Sequence, residues 1–302
     1  IRAPGPTITS VDGESYSVGS YGISMALDQT GNQHISYYNA SASSLMYAQY
    51  DGTSWQAEEV DNGGSSGTYS SIAIDPSGNP HISYINTTPN PDAVMYAHHN
   101  GTAWTTEVID ATPYYAYDTS IDLDSSGNPH ISYAVYNNTG NSYNLRYSYH
   151  NGSEWVYNDI KDYRSSYWNS YSNTGKNNQI KLNSTDVPHV VFFEDYYDDV
   201  YLSVRSNGTW TSSSVDDKGG YYTSSGERAI SLAIDSDDGL HIAYHTMYTS
   251  NSDRYDLEYA YREANGSTWT KSTVHDQSGH YIGTSVSIAV DSADRPHIAY
   301  HD

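Results

Sequence analysis

The stretch Ser71-Ile72-Ala73-Ile74-Asp75-Pro76-Ser77-Gly78-Asn79-Pro80-His81-Ile82-Ser83-Tyr84 decides the fold. It is an alternating polar and apolar run, a turn built on Asp and Gly, and a second alternating run, which is the sequence form of a β-hairpin. Five further copies occur, at residues 24–37, 120–133, 179–192, 231–244 and 287–300. Their histidines, His34, His81, His130, His189, His241 and His297, recur every 47 to 59 residues. That is the period of a propeller blade.

Working outward, each of the first five hairpins is followed by a third short run. An example is Leu45-Met46-Tyr47-Ala48; others are Val94-Met95-Tyr96-Ala97, Leu145-Arg146-Tyr147-Ser148, Val200-Tyr201-Leu202-Ser203 and Leu257-Glu258-Tyr259-Ala260. A turn on Asp51-Gly52, Asn100-Gly101, Asn151-Gly152, Asn207-Gly208 or Asn265-Gly266 comes next, and these dipeptides predict type I′ hairpins. A fourth run opens on Trp55, Trp104, Trp155, Trp210 or Trp269. One Trp at one structural position in five copies predicts an inter-blade plug rather than a ligand site. Four strands in a meander make a blade, so the expected fold is all-β, a six-bladed propeller of antiparallel four-stranded sheets. One domain is expected over 1–302, with blades near 22–61, 70–110, 119–162, 178–217 and 229–276. The sixth, 286–302, is incomplete. Thr7-Ile8-Thr9-Ser10-Val11-Asp12 matches a fourth strand, so residues 1–12 are expected to complete that blade, either in the same ring or in a neighbouring subunit. No segment corresponds to its third strand, and an open edge invites pairing.

The run SIAIDPSGNPHISY followed by VMYAHHNGTAWTTEVID resembles the repeats of secreted bacterial and archaeal β-propellers, and is distantly similar to NHL and sialidase-type repeats. The resemblance covers essentially the whole chain and implies its architecture. The Asn/Asp-Gly-x-x-Trp turn looks like a shortened sialidase Asp-box. No counterpart of the sialidase arginine triad is found among the eight Arg, so sialidase activity is not implied.

Composition narrows the function. Thirteen Lys and Arg stand against 36 Asp and Glu, for a formal charge of −23. Such a chain repels phosphate backbones, which excludes nucleic acid as an expected partner. No apolar run approaches 18 residues, so no membrane insertion is expected. Without cysteine there is no thiolate nucleophile or thiolate metal site. A start at Ile1 reads as a mature, processed chain. Eight sequons, at Asn39, Asn86, Asn100, Asn137, Asn151, Asn183, Asn207 and Asn265, point to a glycosylated extracellular or cell-surface protein.

The residues that could carry chemistry each have a plainer reading. Six equivalent His could ring a channel and hold a metal or anion. A site needed once is rarely built six times, and we expect each His to pack in its own blade, bonded through Asp28, Asp75, Asp124, Asp235 or Asp291. The Asp-x-x-Gly turns lack the dense carboxylates of calcium loops. Glu194-Asp195-Tyr196-Tyr197-Asp198-Asp199 is the better cation candidate, with a solvated acidic loop as the alternative. No metal and no cofactor is assigned. There is no nucleophile elbow or phosphate loop, and the expectation is a chain that is not an enzyme. With 33 Tyr against 2 Phe, aromatic surface falls to Tyr. The connections between blades and between second and third strands should share one aromatic, acidic face. Tyr115, Tyr117, Tyr167, Trp168, Tyr197 and Tyr222 are its candidate ligand residues. The expected function is a cell-surface scaffold that self-assembles into a filament or array by strand complementation, its partner another copy of itself. The alternative is a lectin-like propeller that binds glycans through its Tyr-rich face.

Overall fold

The computed structural model describes residues 11, 18–88, 91–111, 113–137, 142–162, 175, 177–194, 199–217, 229–248, 254–278 and 285–301. Among them lie 22 strands and no helix, so no helix is long and apolar enough to cross a membrane. The strands form antiparallel sheets in chain order. The first holds β1 (Val18–Leu27), β2 (Gln33–Asn39), β3 (Ser44–Tyr50) and β4 (Trp55–Asp61). The second holds β5 (Ser66–Ile74), β6 (Pro80–Asn86), β7 (Ala93–His99) and β8 (Trp104–Asp110). The third holds β9 (Tyr115–Leu123), β10 (Pro129–Asn137), β11 (Ser142–His150) and β12 (Trp155–Asp162). The fourth holds β13 (Gln179–Leu182), β14 (Pro188–Glu194), β15 (Asp199–Ser206) and β16 (Thr209–Asp216). The fifth holds β17 (Ile230–Ile234), β18 (Leu240–Tyr248), β19 (Arg254–Arg262) and β20 (Thr270–Ser278). The sixth has two strands among the described residues, β21 (Val286–Val290) and β22 (Pro296–Tyr300).

The chain divides into two compact units, Ile1–Ala111 with the first two sheets and Thr112–Asp302 with the other four. In the first unit, Leu45 and Tyr47 of β3 and Val60 of β4 pack against Ile72, Ile74, Ile82, Tyr84, Met95, Ala97 and Trp104 of the second sheet. In the second unit the same layering recurs: Leu145, Tyr147 and Ile160 meet Ile180, Phe192 and Trp210. Likewise Val200, Leu202 and Val215 meet Leu232, Ile242, Tyr244 and Trp269. The expected plug is therefore seen at Trp104, Trp210 and Trp269. Trp104 stands edge-on to Tyr47, ring centroids 5.2 Å apart, and its Nε1 donates to Glu58 at 2.9 Å. Trp210 repeats this on Tyr147 (5.1 Å) and Asn158 (3.0 Å). A half-buried indole keeps its N–H bonded while its rings fill the gap between sheets.

Strand starts differ from the sequence expectation. Tyr69, Tyr115 and Tyr117, which precede the expected blades at 70–110 and 119–162, lie in the first strands β5 and β9. Bulges shift the register between Thr68 and Ser71 and between Ser132 and Ala134. Tyr69 and Asp118 there take φ of 54° and 49°. A bulge breaks the period-two alternation, so the segment reads as loop. Close approach between sheets explains Gly67 (φ 110°), where a Cβ would stand 2.6 Å from the Leu45 Cα.

The third-to-fourth strand turns also differ from expectation. Only Asn207-Gly208 has positive φ at both residues (51° and 79°), closing a two-residue loop as type I′ requires. At Asp51, Asn100 and Asn151 the loop is longer. The side-chain oxygen there accepts the N–H groups two and three residues on, an Asx turn that needs positive φ only at Gly52, Gly101 and Gly152.

Candidate functional site

The repeated His of the first, second, third and fifth sheets pack within their own sheets, as expected. The His34 side chain is 1% exposed and that of His241 4%. Their Nε2 atoms face the hairpin carboxylate of the same sheet: Asp28 at 3.6 Å, Asp75 at 3.7 Å, Asp124 at 3.7 Å and Asp235 at 3.0 Å. At 3.6–3.7 Å the first three contacts are too long for hydrogen bonds and only orient the ring, whereas His241 Nε2 donates to Asp235 at 3.0 Å. A carboxylate only accepts, so it favours the proton on Nε2 and leaves Nδ1 to accept. Its donor is a tyrosine of the third strand, Tyr47 (2.6 Å), Tyr96 (2.5 Å), Tyr147 (2.6 Å) or Tyr259 (2.7 Å). Burial raises the pKa of each of these phenols, which keeps the donor proton in place. The same Asp Oδ1 accepts N–H groups two and four residues on, for instance from Ser77 and Asn79 to Asp75, tying the imidazole to its turn. The fourth sheet tests the rule. Asn183 and Leu202 replace the Asp and the Tyr, and His189 Nδ1 turns to the Val187 carbonyl at 2.9 Å.

Among the described residues, a tyrosine ladder on the third sheet offers a face for ligand chemistry. Tyr115 of β9 pairs across to Tyr136 of β10, and Tyr136 pairs to Tyr143 of β11. Ring centroids are 6.1 Å apart in the first pair, stacked at 28°, and 4.9 Å in the second. Tyr114 stands edge-on to Tyr115 at 4.6 Å, and Tyr117 lies 5.8 Å from Tyr143. Tyr114 and Tyr115 are exposed. The pairing puts aromatics of the first, second and third strands in one row. Of the candidate ligand residues, the structure thus unites Tyr115 with Tyr117. Tyr167, Trp168, Tyr197 and Tyr222 lie outside the described residues. Tyr114, Tyr136 and Tyr143 are additions; the register that sets Tyr136 opposite both Tyr115 and Tyr143 is what brings them in.

The acidic run is half visible. Glu194 and Asp199 are buried and face each other across the β14–β15 pair, whereas residues 195–198 lie outside the described residues. No group of three or more His, Asp and Glu that could hold a metal occurs among the described residues.

The sequons fall into two settings. Asn100, Asn151, Asn207 and Asn265 are exposed at the third-to-fourth strand turns. Asn39 and Asn86 are buried at the ends of β2 and β6, their Oδ1 atoms accepting backbone N–H groups. Asn183 is half-buried in a hairpin turn, and the Asn137 side chain lies outside the described residues. Of the expected assembly strand, Thr7, Ile8, Thr9 and Ser10 are outside them too. Val11 is described, and packs against the cluster of Ile35, Tyr37 and Ala48 in the first sheet.

No protein-family model and no curated protein matches the chain. Solved structures do. AofleA from Arthrobotrys oligospora superposes with a TM-score of 0.58 at 11% identity, covering 94% of this chain and 81% of that one. The Aleuria aurantia lectin AAL, in complex with Fucalpha1-6GlcNAc, gives 0.54 at 10% identity, over 92% and 90%. These are β-propeller proteins. The fold is that of a β-propeller. A third propeller, the GH93 alpha-L-arabinofuranosidase of Fusarium graminearum with arabinobiose, gives 0.58 at 13% identity, over 90% and 84%. This last likeness corrects the expectation that the chain is not an enzyme. The same architecture carries glycan hydrolysis as well as glycan binding, so the missing motifs of the sequence do not decide the matter.

Proposed function

We propose that this propeller binds a neutral glycan chain through the tyrosine ladder of its third sheet. The observation that carries this reading is the row Tyr115–Tyr136–Tyr143 with Tyr114 at its exposed end. Aromatic faces suit the apolar face of a pyranose ring, and the phenol hydroxyls serve its equatorial hydroxyls. Several rings in line suit successive sugars of a chain. The charge of −23 argues for a neutral ligand over a uronate or sulfated polymer. The neighbouring structures include proteins solved with neutral sugars and an ulvan lyase bound to a sulfated uronate chain, so the choice of a neutral ligand rests on the charge alone. The test is calorimetric titration with neutral oligosaccharides of native protein and of a variant with Tyr114→Ala and Tyr115→Ala. Both side chains are exposed, so the variant folds. Loss of two rings is expected to weaken binding roughly tenfold or more. Equal affinity in the two proteins, or no saturable binding of any neutral oligosaccharide, rejects the reading.

A second reading concerns assembly, and Val11 favours it. Val11 packs against the cluster of Ile35, Tyr37 and Ala48, and Val60 packs against the cluster that holds the equivalent Ile82, Tyr84 and Ala97. This supports reading Val11 as a fourth-strand valine of a preceding blade. Among the described residues no third strand covers that face: Ile23, Met25 and Leu27 of β1, paired to Tyr37, Ile35 and Gln33, stand exposed. We infer six blades, with the N-terminal segment as the outer strand of the sixth and a donated strand between, so that copies associate at the cell surface. Deleting residues 1–12 is expected to abolish oligomers in light scattering while the remaining sheets stay folded. Oligomers of the truncated chain would reject it.

We further infer an exported protein with glycans on Asn100, Asn151, Asn207 and Asn265. In a glycosylating host, peptide mapping after enzymatic deglycosylation is expected to mark these four and to leave Asn39 and Asn86 unmodified. Burial of the two unmodified amides removes the acceptor nitrogen from solvent.

A further inference from the structure

The sixth hairpin carries a half-finished version of the device seen in the other sheets. His297 Nε2 sits 3.1 Å from Asp291 Oδ2, as His241 sits against Asp235 in the fifth sheet. Its side chain is 64% exposed, against 1% for His34. Among the described residues no strand pairs with the outer edge of β22.

The four sheets with a His–Tyr pair show what fits beside such an edge. In each, the third-strand Tyr lies across from a small residue two positions after the His: Ser36 to Tyr47, Ser83 to Tyr96, Ser132 to Tyr147 and Ala243 to Tyr259. The small side chain leaves room for the phenol to reach back to Nδ1. The next residue of the third strand is Ala48, Ala97, Ser148 or Ala260, fully buried and across from Ile35, Ile82, Ile131 or Ile242. Two residues before the Tyr stands Leu45, Val94, Leu145 or Leu257, with no exposed surface. The fourth sheet shows the alternative solution: Val191 fills the small position, and Leu202 takes the place of Tyr. The sixth hairpin presents Asp291, His297, Ile298 and Ala299, the set that goes with tyrosine.

We propose that, in the assembly reading above, the outer edge of β22 docks an antiparallel strand of the form Leu/Val-x-Tyr-Ala/Ser. Its tyrosine hydroxyl donates to His297 Nδ1 over Ala299, its small residue sits opposite Ile298, and its backbone pairs with the open edge. This gives a sequence preference to the donated strand of the assembly reading above, on which it rests. It is measured separately, because a peptide can occupy the edge whether or not copies of the chain associate.

The probe is a fluorescent peptide with the sequence of β19, Arg254–Arg262, titrated onto the intact 302-residue protein and followed by polarisation. Saturable binding is expected. Tyr259→Phe in the peptide removes one hydrogen bond and should weaken binding roughly three- to tenfold. His297→Ala in the protein should weaken binding of the native peptide and erase that difference between Tyr and Phe. The decisive variant is Ala299→Val, which builds the fourth sheet's solution into the sixth. It should weaken the tyrosine peptide roughly tenfold or more by crowding, and reverse the order so that a Tyr259→Leu peptide binds better than the native one. Both protein substitutions are on an exposed two-stranded hairpin and leave the cores of the other sheets untouched. No saturable binding, binding indifferent to both protein variants, or an unreversed order of Tyr and Leu peptides overturns the proposal.

Discussion

Replacing Tyr147 by alanine is expected to destabilise the protein by about 3–5 kcal/mol, the range for removing a buried aromatic side chain. Tyr147 has no exposed surface. Its ring lies 5.1 Å from Trp210 and 5.6 Å from Tyr149, and the Arg205 guanidinium sits 5.4 Å above it. Its hydroxyl donates to His130 Nδ1 at 2.6 Å. Alanine removes the ring from between two sheets and leaves a buried imidazole nitrogen without its donor, which adds a desolvation cost to the cavity. Tyr147→Phe isolates the second part and should cost about 1–3 kcal/mol. The fourth sheet supplies an internal control. There Leu202 faces Val191, whereas Tyr147 faces Ser132. Tyr147→Leu alone should therefore leave a void that Ser132→Val partly refills. Urea unfolding of both single variants and the double variant gives the coupling as a cycle. Additive losses would mean that the small-residue and tyrosine positions are energetically independent.

The repeat made much of this legible, and the reasons for the remainder are physical. Hairpin turns were visible because Asp and Gly are required at fixed offsets, and Gly31, Gly78 and Gly127 do take φ of 85°, 87° and 81°. The Trp plug followed from recurrence at one position. The His reading was right in kind, and its Tyr partner was also present in the sequence. The Leu/Val-x-Tyr pattern disappears in the copy whose hairpin turn opens on Asn183 instead of an aspartate, so acid and phenol are lost together. Less legible was a clamp between successive turns. Asp186, Asp238 and Asp294 replace the turn glycine at φ of 61°, 64° and 57°. Each carboxylate accepts both the N–H and the hydroxyl of a serine in the preceding turn, Ser125, Ser184 and Ser236. A non-glycine residue in that conformation reads as a defect until its partner in the preceding repeat is seen. The tyrosine ladder was legible as composition and face. Its row needed the register, because a bulge moves Tyr117 and Tyr115 relative to a plain alternating strand.

Acid is expected to destabilise the protein well before its carboxylates titrate. Burial lowers the pKa of His34, His81, His130 and His189 below the ordinary 6.5 of the unfolded chain. His81 is pushed down to about 4, first by burial and then by the neighbouring His98, against the opposing pull of Asp75. The charged form is the one disfavoured in the fold. Well above pH 6.5 all four rings are neutral in both states and cost nothing. As pH falls from 6.5 towards 4 the unfolded chain takes up protons that the folded protein refuses, so stability declines across that window. For His81 alone the full displacement corresponds to roughly 3 kcal/mol. The other three act in the same direction. Asp75 and Asp124 are held below the usual carboxylate range: burial raises them, but the Asn79 and Asn128 side chains and the turn N–H groups outweigh it. Their contribution is present above pH 3.8 and is lost only as pH falls below that value, so the two losses are separated on the pH axis. Urea midpoints at about pH 7.5, 5.5 and 4.5 should fall monotonically, and His81→Gln, which has no proton to take up, should flatten the slope. A midpoint that holds constant across that range would mean that the Asp–His–Tyr units accept protons in place, and that each carboxylate pairs with an imidazolium in the folded sheet.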